Sequence, residues 1–176
     1  GLVPSVSGLS RQKRNRARER AAQAALLGLH NKDDVRYTDS FLPSEAALRW
    51  DGIKNRRKAR LGQFPRHSDC SSFATWCLWN GLFLPFGLDD VVNGQSWAAG
   101  FTGTMLDHGK RVRRVENVRR GDCVLYGEEG TSGKHVTIVV GRRGGVPMVV
   151  SHGSDEGPFF LAFDYRDDVM EIRRYI

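Results

Sequence analysis

Helical and strand-like patterns of hydrophobic residues occupy different parts of the chain. Residues 10–29 combine Ala, Arg, Gln and Leu, which favour helix, and Ser10 stands in the N-cap position. Further helices are predicted over 43–53, over 69–81 and, interrupted by glycines, over 96–109. The 69–81 segment is apolar on nearly every side, which is typical of a buried helix.

After residue 110 the pattern changes to short runs of β-branched and aromatic residues separated by Gly-rich turns. These runs are 112–115, 122–126, 135–141, 146–153, 158–163 and 169–176. Helices followed by short strands predict an α+β domain with an antiparallel sheet.

Composition excludes several classes of protein. No run of 18 or more apolar residues is present, so the sequence predicts no membrane span. The first residues lack a charged start followed by an apolar stretch, so no signal peptide is predicted. The three cysteines, Cys70, Cys77 and Cys123, are an odd and sparse set that argues against a disulfide framework. With 176 residues and 40% hydrophobic content, the chain fits one domain with its own core and is not wholly disordered.

The whole chain has a net charge of +7, and all of the excess positive charge lies in its first part. Residues 1–68 hold 15 Lys and Arg and 6 Asp and Glu, a balance of +9. Residues 69–176 hold 12 and 14, a balance of −2. The excess lies in two clusters, at 11–20 and 54–60. Such clusters are either solvated helix faces or attachment points for an anionic polymer: nucleic acid, a wall polymer or a membrane surface.

Cys70 stands at the start of the apolar 69–81 helix, which Asp69 or Ser68 can cap. A thiol in a first helical turn faces the positive end of the helix dipole, so we expect the pKa of Cys70 to fall toward neutrality. The free N–H groups of that turn are suited to stabilise a developing oxyanion. Cys70 is therefore a candidate nucleophile, with a structural role as the alternative; Cys77, in the same helix, is predicted to be structural.

A nucleophilic thiol needs a base, and histidine is the candidate. His135 opens one apolar strand and His152 closes the next. If these strands pair antiparallel through the Gly-rich turn between them, the two histidines become neighbours. The pattern indicates Cys70 as nucleophile, His135 as base and His152 as the group that orients the base. His67, three residues before Cys70, stays an alternative.

Three strings resemble the NlpC family of cell-wall cysteine peptidases. They are Asp69-Cys70-Ser71-Ser72-Phe73, Arg120-Gly121-Asp122-Cys123-Val124-Leu125-Tyr126 and His135-Val136-Thr137-Ile138-Val139-Val140-Gly141. The family has Asp-Cys-Ser-Gly-Phe at a helix start, a Pro-Gly-Asp strand, and a His-Val-Gly-Ile strand followed by a second His. Order and approximate spacing match over residues 64–153, while residues 1–60 have no counterpart. The related CHAP amidases usually carry Asn or Glu at the third position, so His152 favours the NlpC type.

The resemblance implies a papain-like α+β fold, with the nucleophile's helix packed on an antiparallel sheet. It divides the chain into a basic helical region, 1–63, packed on or preceding the core, and a peptidase core, 64–176. It also implies hydrolysis of a peptide bond in the peptidoglycan stem, or an amidase reaction, without metal or cofactor. Three residues depart from the family pattern: Ser72 and Thr137 replace Gly, and Arg120 replaces Pro.

By the same resemblance, Asp69 and Ser71 are expected to contact substrate beside the thiol, and Trp97 with the 82–97 loop to wall the cleft. The ending of the chain is also similar to lysins encoded by phages of actinobacteria. We therefore expect a monomeric phage lysin that degrades peptidoglycan and holds anionic wall polymers through its basic helices. It would be made in the cytoplasm and released by a holin, unless a signal has been trimmed from the sequence.

Three other interpretations stay open. A zinc site built from Cys70, Cys123, His135 and His152 lacks CxxC or HxxxH spacing. A nucleic-acid-binding module would use the basic first third, but no DNA- or RNA-reading motif accompanies the charge. A catalytically inactive relative in a phage structural protein would keep the fold without hydrolysis.

Overall fold

A computed structural model describes residues 5–38, 42, 46–54 and 64–176. Its helices are α1 (Arg11–His30), α2 (Asp51–Lys54), α3 (Cys70–Phe86) and α4 (Thr102–Leu106). Its strands are β1 (Arg36–Tyr37), β2 (His67–Ser68), β3 (Lys110–Arg111), β4 (Cys123–Tyr126), β5 (His135–Arg143), β6 (Val146–Ser151), β7 (Phe159–Ala162) and β8 (Val169–Arg174). Single 3-10 turns lie at Val6–Gly8, Lys32–Asp34, Leu48–Trp50 and Val115–Asn117.

The main sheet has six strands in the order β3-β8-β4-β5-β6-β7, and every neighbouring pair is antiparallel. The short strands β1 and β2 form a separate parallel pair that precedes α3. The predicted α+β class, with helices first and an antiparallel sheet afterwards, is confirmed.

The two faces of the sheet bury different clusters, as the period-2 alternation of strands requires. Val136, Ile138 and Val150 face the main core, which they share with α1 and α3. Val139 and Val149 face a smaller cluster on the other side of the sheet. A side chain at the end of a strand can therefore contact helix α3 only if it lies on the face of the sheet that α1 and α3 cover.

Helix α1 packs antiparallel against α3 along a stripe of small residues. Ser10 caps α1 by accepting a hydrogen bond from the Lys13 N–H at 3.1 Å. A Cβ at Gly81 would lie 2.5 Å from the backbone oxygen of Ala17, and one at Gly28 would lie 2.6 Å from the Phe73 ring. Both crossing points therefore need glycine. The remaining contact surface of α1 consists of the buried residues Ala17, Ala21, Ala22, Ala24 and Ala25.

Two of the helix predictions differ from the structure in their bounds. Helix α3 continues past Gly81, where α1 packs closely against it, to Phe86, and it ends at Gly87 in the left-handed region (φ 64°). The 96–109 segment is helical only over Thr102–Leu106, since Trp97 (φ 67°) and Gly100 (φ 125°) have non-helical backbone.

Other expectations are met in part or lie outside the described residues. The strand expected at 112–115 is instead Lys110–Arg111, followed by a 3-10 turn. Most of the 54–60 basic cluster lies outside the described residues, as does the start of the 43–53 helix. The division at residue 63 stays a prediction. None of the helices in the described ranges combines the length and hydrophobicity needed to cross a membrane.

Candidate active site

Cys70 is the first residue of α3, and Asp69 caps the helix. The Asp69 Oδ1 accepts hydrogen bonds from the Ser72 N–H (2.9 Å) and the Ser72 hydroxyl (2.7 Å). In return, the Ser72 Oγ accepts from the Asp69 N–H at 2.9 Å, which completes a capping box. Ser72, which stands where the family resemblance has glycine, therefore helps to fix the helix start beside the thiol.

The pKa of the half-buried Cys70 thiol is raised to about 12. Burial is the largest cause, and the Asp69 carboxylate adds to it. Hydrogen bonds from backbone N–H groups, of Val136 first and then of Ser71 and Cys70 itself, lower the pKa but do not offset these effects. The expectation of a thiol pKa near neutrality is wrong, because desolvation and an adjacent carboxylate outweigh the helix start. The resting thiol is therefore protonated at pH 7.

The Cys70 sulfur lies beside the start of β5. Strands β5 and β6 pair from Ile138 and Val150 onward, so Val136 precedes this pairing. Its backbone N–H is directed at the Cys70 sulfur. The thiol thus lies beside the backbone of β5, one residue after His135.

His135 is buried at the entrance of β5, and its ring is held on two sides. Its Nε2 lies 2.8 Å from the Ser151 Oγ, which in turn lies 3.2 Å from the Tyr165 hydroxyl. The ring also packs against Tyr126, with centroids 5.7 Å apart. A Cβ at Gly153 would lie 3.1 Å from the His135 Cε1, so glycine leaves space for the ring there.

Burial lowers the pKa of His135 to about 4, with the Arg166 and His152 charges as smaller causes. The imidazole is therefore neutral at pH 7 and able to accept a proton. Within the described residues, no hydrogen bond joins the His135 ring to the Cys70 thiol. The His135 ring contacts Tyr126, which belongs to the smaller cluster on the face of the sheet away from α3, so only the β5 backbone, at Val136, is in contact with the thiol among the described interactions.

His152 occupies a different position from the one expected of an orienting group. It is fully buried, and its Nε2 lies 3.4 Å from the Arg36 carbonyl oxygen. Its Nδ1 has no hydrogen-bond partner within the part of the chain that the structure describes. Its ring packs between Phe73 and Tyr37, at centroid distances of 5.6 and 5.4 Å. Burial lowers its pKa.

The residue in contact with the His135 Nε2 is Ser151, which sequence reasoning missed. Ser151 is the last residue of β6 and faces His135, whereas the His152 ring packs against Phe73 of α3. The available sequence signal is the hydroxyl residue next to His152 in the string Val149-Val150-Ser151-His152. Thr137, which stands where the resemblance has glycine, lies on the same face as His135, and its hydroxyl is 3.2 Å from the Tyr126 hydroxyl.

The predicted substrate contacts are largely engaged within the protein. Asp69 Oδ2 accepts a hydrogen bond from the Arg49 Nη1 at 2.8 Å. The buried Ser71 hydroxyl donates to Asp69 Oδ1 at 3.3 Å. Trp97 is 4% exposed, and its Nε1 donates to the Leu88 carbonyl oxygen. Contacts of these residues with substrate stay predictions.

Two further residues near the helix start bear on the earlier alternatives. Arg49, which the sequence did not single out, joins the Asp69 carboxylate to the Gly100 carbonyl oxygen, 3.0 Å from its Nη2. His67 lies with its Nδ1 3.0 Å from the Asp51 Oδ2, so its hydrogen-bonding partner is a carboxylate and not the thiol. In the described ranges no group of three His, Cys, Asp or Glu side chains is placed to hold a metal ion.

Comparison with known proteins gives a likeness at the level of structure. No protein-family model matches the sequence, and no curated protein does. The solved structure of NlpC2 from Trichomonas vaginalis is similar, with a TM-score of 0.53 and 19% sequence identity over 91% of this chain and 47% of that one. The fold is NlpC-like. NlpC1 from the same organism has a TM-score of 0.50 and 18% identity over 88% of this chain and 44% of that one.

The NlpC-like fold confirms the papain-type α+β architecture expected from the three strings. The chain spans about half the length of each of these two structures. At this identity the likeness is one of fold, so the chemistry of Cys70 and His135 rests on the geometry of this chain. In the NlpC-like fold, that geometry places a thiol at a helix start against the strand that begins with a neutral imidazole.

Proposed function

We propose that this chain is a cysteine peptidase that hydrolyses a peptide bond in the stem peptide of peptidoglycan. The observation that carries the proposal is the position of the Cys70 sulfur, which accepts a hydrogen bond from the Val136 N–H directly after His135. The nucleophile and the base are thereby supplied by two rigid elements, α3 and β5. The NlpC-like fold and the three sequence strings support the choice of peptidoglycan as substrate.

His135 would act as the general base through its Nδ1, because its Nε2 is held by Ser151. With the pKa of His135 at about 4 and that of Cys70 at about 12, both groups begin neutral. The imidazole takes the thiol proton as the sulfur attacks the substrate carbonyl carbon, so that no free thiolate has to accumulate. This step requires the His135 ring to turn from its contacts with Ser151 and Tyr126 toward the thiol.

The attack forms a carbon–sulfur bond and moves an electron pair onto the carbonyl oxygen. Backbone N–H groups of Cys70, Ser71 and Val136, which already point at the sulfur, are placed to stabilise this oxyanion. Collapse of the intermediate breaks the carbon–nitrogen bond, and the leaving amine takes the proton from His135. Water, activated by the same imidazole, then hydrolyses the thioester and restores the thiol.

Purified cell walls and the pair Cys70→Ala and Cys77→Ala test the proposal. Cys77 is buried in the same helix and serves as the matched control. New amino groups should be released from walls by the wild type and by the folded Cys77→Ala variant, and not by Cys70→Ala. Equal release by Cys70→Ala, or no release by reduced wild-type protein, would contradict the proposed peptidase.

We further propose that the chain acts as a monomeric phage lysin that a holin releases from the cytoplasm. The support is the similarity of its C-terminal residues to such lysins. Co-expression with and without a holin in a susceptible host tests this role. Lysis that requires both the holin and Cys70 is expected, and holin-independent export of the chain would contradict it.

A further inference from the structure

A cleft of about 570 Å³ separates the first half of α1 from the segment before β4. Its lining is dominated by arginine and includes one carboxylate, Glu19, which pairs with Arg120. The arginines on α1 recur at helical spacing and share one face. We call this feature the arginine cleft; its arginines are Arg11, Arg14, Arg18, Arg119 and Arg120.

The guanidinium groups of the arginine cleft are poorly compensated by anions. The side chains of Arg11 and Arg119 make no hydrogen bond or ion pair with any residue that the structure describes. Arg14 donates to the Leu9 carbonyl oxygen at 3.2 Å, which is a neutral acceptor. The only carboxylate on the lining is therefore outnumbered five to one.

Arg18 is the arginine of the cleft whose guanidinium group is most affected by the neighbouring positive charges. It donates to the Asn15 side-chain oxygen and to the Ile176 backbone oxygen, both at 2.9 Å, while its Nε is buried without a partner among the described residues. Its pKa is lowered first by burial and then by the positive charges of Arg119 and Arg174, and the Asp122 carboxylate partly offsets this lowering. Such mutual repulsion is relieved when an anion binds between the guanidinium groups.

The nearby carboxylate of Asp122 does not fill this role. Arg174 donates to both of its oxygens, from Nε at 2.9 Å and from Nη2 at 2.8 Å. The Arg119 backbone N–H donates to the same carboxylate at 2.8 Å. Among the described residues, the lining of the arginine cleft thus holds more guanidinium groups than carboxylates, together with an unpaired buried donor, the Arg18 Nε.

We propose that the arginine cleft binds the phosphodiester groups of an anionic, polyol-phosphate polymer of the cell wall. Planar guanidinium groups bind phosphate through paired hydrogen bonds, and clustered arginines are suited to this geometry. The volume falls within the range of about 300–1,000 Å³ that is usual for ligand sites. No aromatic side chain lines the cleft, so it lacks the stacking surface on which single-stranded nucleic acid depends.

The arginine cleft lies at the opposite end of the helix pair from the thiol. Ala17, beside the cleft, contacts Gly81 near the end of α3, whereas Gly28 contacts Phe73 in its first turn. Along α1 this separation is about 16 Å. The cleft would therefore tether the enzyme to the wall without touching the scissile bond. The choice of a wall polymer rests on the proposed function.

The test compares the double variant Arg11→Gln/Arg119→Gln with the control pair Lys13→Gln/Arg16→Gln. The side chains of Arg11 and Arg119 line the cleft and contact no other described residue through hydrogen bonds or ion pairs, so their removal should not affect folding. Lys13 and Arg16 are exposed on α1 outside the cleft lining, so the control pair removes the same two charges. A synthetic glycerol phosphate oligomer is the probe, and calorimetry measures its affinity. We expect at least tenfold weaker binding for the double variant and a change of less than about twofold for the control pair.

Three results would overturn the inference. Equal losses in the two variants would show attraction to net charge, and equal affinity for polyglutamate would exclude phosphate recognition. Tighter binding of a single-stranded DNA of equal phosphate number would make nucleic acid the partner. The Cys70→Ala variant should bind the oligomer normally, and the double variant should hydrolyse a soluble stem peptide normally. These two measurements distinguish a failure of the proposed peptidase activity from a failure of the proposed phosphate binding.

Discussion

The Nε2 of His135 lies 2.8 Å from the Ser151 Oγ, and Ser151 in turn contacts the Tyr165 hydroxyl. This chain of contacts fixes the plane of the imidazole and leaves Nδ1 as its free nitrogen. His152, one residue further along, lies on the other side of the strand end and contacts the Arg36 carbonyl oxygen. Ser151 is thus a positioning residue for the proposed base.

Replacing Ser151 by alanine should lower kcat by about tenfold, because one hydrogen bond to the base is worth about 1.4 kcal/mol in the transition state. Steady-state kinetics on a soluble stem peptide at pH 7 measures this effect. Ser151→Thr keeps the hydroxyl and should restore most of the rate. An unchanged kcat in Ser151→Ala would exclude the positioning role.

Alkylation of Cys70 by iodoacetamide should be slow at pH 7 and rise about tenfold per pH unit up to pH 9. The reason is the raised pKa of the thiol, about 12, which keeps it protonated throughout this range. Mass spectrometry of the Cys70 peptide measures the rate, with the buried Cys77 and Cys123 as internal controls in the folded protein. A fast rate that is constant across neutral pH would indicate a preformed thiolate–imidazolium pair instead.

Asp69→Asn should accelerate the alkylation of Cys70 by about 3- to 10-fold at pH 8. The substitution removes the negative charge that raises the thiol pKa, while the amide oxygen still accepts the capping hydrogen bond. Asp89→Asn is the control, because Asp89 is exposed beyond the far end of α3. Equal rates in the wild type and Asp69→Asn would mean that burial alone sets the thiol pKa.

Gly81→Ala should lower the free energy of unfolding by about 1–3 kcal/mol, although alanine favours helix more than glycine does. The added Cβ would lie 2.5 Å from the Ala17 backbone oxygen and would force α1 away from α3. Gly141→Ala is the control, since its Cβ would meet nothing within 4 Å. Urea unfolding measures both variants. A Gly81→Ala protein as stable as the wild type would mean that the helices separate at little cost.

The fold and the main elements of the site could be predicted from local sequence signals. The apolar 69–81 segment behind a capping aspartate indicated a buried helix that begins at the thiol, and the 135–141 and 146–153 runs indicated neighbouring strands. These signals are the spacing of apolar residues and the identity of the capping residue, both of which can be read from neighbouring positions in the sequence. The N-terminal helix was predictable for the same reason, from composition and the Ser10 cap.

The electrostatics of the site could not be predicted, because they depend on tertiary burial. The helix start alone indicated a low thiol pKa, but the packing around Cys70 and the charge of Asp69 reverse the direction. The identity of the His135 partner depends on which face each residue of β6 presents where the strand ends. Whether Ser151 or His152 contacts His135 depends on the pairing register of β5 and β6, which the spacing of residues in one sequence does not determine.

The most direct test of the proposed peptidase is mass spectrometry of muropeptides after digestion of purified peptidoglycan under reducing conditions. Wild-type protein should release fragments cut at one peptide bond of the stem. Cys70→Ala and His135→Ala should release none, and both variants should keep the wild-type circular dichroism spectrum. Intact stem peptides after digestion with folded, reduced wild-type protein would contradict the account, as would identical fragments from Cys70→Ala.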